Sequence, residues 1–219
     1  MVSVQNLGIL NKMKKTLLFI IFTFSAISAQ RKSIDLFYSG NFISESYENY
    51  SSVSIWGHYL LKGEKFDLGP VLYYQWNRLS EKKEPFSDLI NRSLGGGVKA
   101  AYYPFGKITV GGIFLRPAAT AKIAYQFLNF VSSFSNFPTN PEKDYFYKEL
   151  KNDFTFNIGI GIFLEPDEKL NFLLEIKYEF RRPELFYQIN NSIGETTYQG
   201  SETVNMNSLL WSLGLRINL

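Results

Sequence analysis

Cysteine is absent from this 219-residue chain and histidine occurs once, at His58. The first absence excludes a disulfide framework, a thiolate metal site and a lipid-modified N-terminal cysteine. The second excludes a multi-histidine site within one chain, so neither a metal nor a cofactor is expected. Long apolar runs are missing too. The run from Leu17 to Ile27 falls short of the ~20 apolar residues that a transmembrane helix needs, and no later stretch is longer. A basic excess is also lacking once the N-terminus is set aside. Met13-Lys14-Lys15, the apolar run and then Ser28-Ala29-Gln30 follow the charged, apolar, small-residue order of a secretory signal. Cleavage is expected after Ala29, with residues 1–12 an upstream extension before a start at Met13. Removing 1–29 takes away Lys12, Lys14 and Lys15 and no acid, so a formal charge of +3 becomes zero, 20 basic against 20 acidic residues. No nucleic-acid partner is expected from such a balance.

What the chain has in excess is aromatic side chains, 17% of its residues, gathered near the ends of the predicted strands, where amphipathic rings suit a membrane–water boundary. From Ser33 onward, segments of about ten residues alternate apolar and polar positions, the period of a strand. The segments are 33–42, 53–61, 66–76, 93–103, 118–127, 154–164, 170–181 and 209–219. Pro70, which cannot donate to a ladder, predicts a bulge in the third. Between the segments, long polar stretches (44–51, 77–92, 128–152, 183–207) alternate with short turns. Residues 104–117 read as a periplasmic connection with a short strand extension, since Ile108-Thr109-Val110 and Ile113-Phe114-Leu115 are apolar but interrupted by Gly111-Gly112 and Arg116-Pro117. Outer-membrane barrels need that asymmetry of long external loops and short periplasmic turns, and lipid forbids unpaired sheet edges, so the strands must close.

Residues 30–219 are therefore read as one all-β domain, an eight-stranded antiparallel transmembrane up-and-down β-barrel in the outer membrane, with both termini periplasmic. A ten-stranded closure in which 108–115 pairs separately is one alternative. A soluble lipocalin-like barrel, with its apolar faces turned inward, is the other.

The face opposite the apolar one carries Asp35, His58, Asp67, Lys99, Lys122, Glu175, Lys177, Glu179, Arg181 and Arg216. In a narrow lumen such charges must pair or be hydrated. A structural salt-bridge plug is preferred over a conducting pathway, with Glu175, Glu179 and Arg216 expected to pair across the last two strands. Catalysis is not expected. His58 is followed by Tyr59-Leu60-Leu61, with no serine two positions on, and one histidine builds no other Ser/His/acid set. Gly95-Gly96-Gly97-Val98-Lys99 lacks the spacing of a phosphate loop. The third long stretch is aromatic (Phe130, Phe134, Phe137, Tyr145, Phe146, Tyr147), which makes 128–152 a candidate surface for an extracellular partner.

The last strand ends Ser212-x-Gly214-x-x-Ile217-x-Leu219, which resembles the assembly signal of Gram-negative outer-membrane barrels. It departs in its final residue, usually aromatic. With the signal segment and the eight alternating stretches, the mature chain resembles the small outer-membrane barrels of the OmpA/OmpX kind, and in flavour the PorT-like barrels of the Bacteroidota. That resemblance implies insertion by the barrel-assembly machinery and contact with outer-membrane lipid. It also implies a structural or interaction role, adhesion or secretion among them, ahead of a small-solute channel and well ahead of a lipid A-modifying enzyme.

Overall fold

A strand points successive side chains to opposite faces, so the alternation in the sequence becomes two surfaces once the strands pair. The computed structural model describes residues 31–44, 47–61, 65–80, 87–133, 143–166, 169–191 and 196–219. The described residues form β1 (Arg31–Ser44), β2 (Tyr47–Leu60), β3 (Phe66–Ser80), β4 (Ser87–Tyr102), β5 (Ile108–Val110), β6 (Ile113–Ser133), β7 (Lys143–Leu150), β8 (Phe154–Glu165), β9 (Leu170–Phe180), β10 (Glu184–Asn191), β11 (Thr196–Thr203) and β12 (Ser208–Asn218). Eight of them close a barrel in the order β1-β2-β3-β4-β6-β8-β9-β12, with β12 returning antiparallel to β1 from Ser33↔Asn218 to Ser44↔Ser208. The expected signal segment, 1–29, lies outside the described residues.

The apolar face points outward. Ile160 is 69% exposed and Leu213 50%, while Asp35, Gln75 and Thr155 inside the barrel are fully buried. A lipocalin-like arrangement would reverse those values. Aliphatic side chains such as Ile55, Leu72, Ile123 and Ile176 occupy the middle of the outer surface. Rings collect above and below them, Phe66 against Tyr102 (centroids 4.7 Å apart) at the end with the termini, and Tyr125 against Phe154 (5.0 Å) and Tyr178 against Phe180 (4.7 Å) at the other. From Phe66 to Trp76 along β3 is ~33 Å of strand, or about 25 Å of height at a tilt near 40°, the thickness of the apolar band in membrane barrels.

The structure corrects several boundaries. Pro70 makes no bulge: it sits opposite Val98 in an unbroken β3–β4 register, and on its other side the β2–β3 ladder skips Gly57 and His58 without shifting. The missing amide is thus accommodated by a local gap, where Gly69 packs so close that a Cβ there would lie 1.9 Å from the Gly57 carbonyl oxygen. Within 104–117, β5 and the start of β6 form a hairpin through Gly111 and Gly112, both at positive φ (58° and 83°). Because β5 pairs with β6 alone, it adds no strand to the closure, and the ten-stranded alternative does not hold.

The long stretches are also more regular than a loop reading allows. In 44–51 and 77–92 the flanking strands continue, β2 from Tyr47, β3 to Ser80 and β4 from Ser87, and in 128–152 β6 runs on to Ser133. β7, β10 and β11, from 128–152 and 183–207, form a separate three-stranded sheet in the order β11-β10-β7. Tyr50, Leu150, Leu185, Val204, Met206 and Leu210 form a buried apolar cluster joining that sheet to the barrel. Thr196–Thr203 carries no period-two apolar signal, so its polar sequence gives no sign of the strand.

Candidate functional site

The candidate site is the lumen, which the closure fills with side chains from every barrel strand. Nearest the termini, the β1–β12 register sets Asp35 beside Arg216. Arg216 donates from Nε to Asp35 Oδ1 (2.9 Å) and from Nη2 to Asp35 Oδ2 (3.0 Å), and Nη2 also lies 3.0 Å from Asp67 Oδ2. His58 stands between the same two carboxylates, Nε2 3.0 Å from Asp35 Oδ1 and Nδ1 3.3 Å from Asp67 Oδ2, stacked on Trp56 at 4.1 Å. The Tyr103 hydroxyl donates to Asp67 and accepts from Arg216 Nη1 at 3.3 Å. Below them the Arg116 guanidinium covers the Tyr103 ring (3.8 Å) and lies 4.0 Å from Glu165, which also binds Lys107 at 2.6 Å.

At mid-height, Glu175 Oε2 faces Lys99 Nζ (3.0 Å) and Lys177 Nζ (3.5 Å), and its Oε1 accepts from Thr120. Lys177 also donates to Ser39 Oγ (3.2 Å), itself 2.7 Å from Ser212 Oγ. Lys122 is half-buried, its ammonium over the Tyr73 ring at 4.3 Å. Toward the far end, Glu179 accepts from Asn157 Nδ2 (3.1 Å), and Arg181 binds Asp153 through Nε (3.2 Å) and donates to Gln126. The space left among these groups includes a cavity of about 20 Å³ at mid-height and one of about 10 Å³ near the termini.

The structure places the ten inner-face residues, Asp35 through Arg216, on the lumen side, but the expected pairing of Arg216 with Glu175 and Glu179 is corrected. In the β12–β9 register Arg216 lies opposite Asn171, while Glu175 and Glu179 lie opposite Ser212 and Ser208. Four residues of strand, roughly 13 Å, therefore separate Arg216 from Glu175's level. Arg216 turns instead to the neighbours that barrel closure supplies, Asp35 and Asp67.

Sequence reasoning also missed Arg116, Glu165 and Asp153. Arg116 shares the parity of Ala118, Thr120 and Lys122 across Pro117, and Glu165 continues that of Asn157, Gly161 and Phe163, so both were within reach of a longer alternation. The apolar fill of the lumen (Phe37, Leu60, Val71, Phe163, Leu173) breaks the rule that the inside is polar, and no sequence signal marks it. In the terminal motif, Ser212 is buried, a Cβ on Gly214 would lie 2.7 Å from the Phe37 ring, and Ile217 and Leu219 face outward. Of the aromatic third stretch, Phe130 is exposed on β6; Phe134 and Phe137 lie outside the described residues.

No family model and no curated protein matches the chain. Solved structures do. OprG from Pseudomonas aeruginosa aligns with a TM-score of 0.62 at 11% identity, over 88% of this chain and 97% of that one. Outer membrane protein W from E. coli aligns with a TM-score of 0.52 at 11% identity, over 88% and 99%. A major outer membrane protein from Thermus thermophilus aligns with a TM-score of 0.50 at 10% identity, over 86% and 99%. With eight strands closed antiparallel, an aliphatic belt outside and charges within, the chain has the fold of a small outer-membrane β-barrel.

Proposed function

We propose that this protein is an integral outer-membrane scaffold without catalytic activity, whose lumen is a structural plug and whose long-stranded end is displayed outside the cell. The observation that carries this reading is how the lumen is filled. Most of its charges are engaged with one another, and Phe37, Trp56, Phe163 and Leu173 occupy much of the remaining space. Buried ion pairs of this kind are costly to separate, which suits a permanent filling better than a gate. The sheet of β7, β10 and β11 gives the displayed end a fixed surface, and a rigid support for exposed segments is a common arrangement for binding.

In this reading the termini and the β5–β6 hairpin face the periplasm, the terminal Ser-x-Gly-x-x-Ile-x-Leu engages the barrel-assembly machinery, and 128–152 contributes to any extracellular partner surface. The finer kinship with PorT-like barrels rests on the same terminal motif and strand pattern. Planar-bilayer recording on the refolded protein tests the plug: no steady conductance steps are expected. Regular ohmic steps would establish small-solute passage instead.

A further inference from the structure

The charges of the lumen are balanced at the level of the termini and unbalanced at mid-height. Lys99 on β4 and Lys122 on β6 are direct ladder partners, two like charges facing each other across one strand pair, an arrangement that is destabilising unless something offsets it. β9 adds a third ammonium, Lys177, for which Gly159 on β8 makes room: a Cβ there would lie 2.7 Å from that of Lys177. Against the three stands Glu175, and its oxygens are taken by Lys99, Lys177 and Thr120. Glu179 is the other carboxylate that acts on Lys122, but no ion pair within 4 Å joins them among the described residues, and Glu179 is held by Asn157. All three lysines line the mid-height cavity, together with Glu175, whose oxygens are already engaged by Lys99, Lys177 and Thr120, and with Ser52, Ser54 and Asn157.

We propose that this cavity is a binding site for one monatomic halide ion, held by Lys122 with Lys99 and Lys177 around it. Its volume, about 20 Å³, matches roughly one water-sized occupant, which favours a monatomic anion over phosphate, sulfate or an organic acid. A single negative charge there would separate Lys122 from Lys99 electrostatically and occupy the donors that Glu175 leaves unused. The site depends on the lumen geometry alone and exists whether or not the displayed end has a partner.

The test is a crystal of the wild-type protein grown or soaked in sodium bromide, with data collected at the bromine edge. An anomalous peak inside the barrel, bounded by Lys99, Lys122 and Lys177, is expected. Bromide on the outer surface only, as an adventitious ion, or a water alone at that position, overturns the proposal. In solution, the midpoint for loss of the compact, heat-modifiable form should rise by several degrees in chloride or bromide over gluconate at equal ionic strength. The response should disappear in Lys122→Met and persist in Lys122→Arg. An equal halide response in wild type and Lys122→Met would also overturn it.

Discussion

Arg216 shows what single residues contribute. Its guanidinium is nearly fully buried and holds two carboxylates, Asp35 and Asp67, that would otherwise face each other and His58 in a space closed to solvent. Arg216→Ala is expected to destabilise the barrel by about 3–5 kcal/mol, the usual result of removing one partner of a buried ionic group. Urea unfolding in detergent micelles measures it, and Asp35→Asn combined with Arg216→Ala should restore part of the loss. An unchanged midpoint for Arg216→Ala would show that the guanidinium adds no net stability. Gly97 makes a different kind of contribution. A Cβ there would lie 2.0 Å from the Ile123 carbonyl oxygen and 2.7 Å from the Ala124 side chain, so Gly97→Ala must push β4 away from β6. A loss of about 1–3 kcal/mol is expected from such overpacking, read by the same titration, and a neutral result would mean the two strands yield freely.

Among the elements, the strands were legible in the sequence wherever one face meets lipid. Leu170 to Phe180, alternating Phe172, Leu174, Ile176 and Tyr178 with Glu175, Lys177 and Glu179, gave its position and its two faces unaided. β7, β10 and β11 were not legible, because their sequences lack the sustained apolar–polar alternation of the barrel strands; only scattered positions such as Leu150 and Leu185 hint at their core. That small core should be separable from the barrel. Leu185 is fully buried among Tyr50, Leu150, Val204, Met206 and Leu210, and Leu185→Ala should cost the displayed sheet about 2–5 kcal/mol. Limited proteolysis of the folded protein should then cut within 184–203 faster than in wild type, while the remaining barrel keeps its heat-modifiable mobility on a gel. Loss of that mobility would show the sheet and barrel to be one cooperative unit. The charges inside were legible as a set, since parity alone places Asp35, Lys99, Glu175 and Arg216 on the face opposite the apolar one. Their partners were not, because an ion pair depends on the register between strands, and the Asp35–Arg216 neighbourhood exists only through the closure of β1 on β12.

For the barrel taken entire, everything depends on the aliphatic belt around Leu72, Ile123, Ile160, Ile176 and Leu213 being in contact with hydrocarbon. An exposed apolar surface of this extent, flanked by rings at both ends, has no place on a soluble monomer. Sequence alternation supplied the two faces but not which one is outside, since a period of two is the same for a barrel in lipid and a barrel in water. Fractionation of cells producing the chain, followed by gel mobility with and without boiling, decides between the two. The protein is expected to sediment with outer membranes, to resist carbonate and urea washes, and in detergent to run as a compact band that shifts only on boiling. Recovery of a folded monomer from the aqueous fraction, without detergent, would contradict the lipid contact.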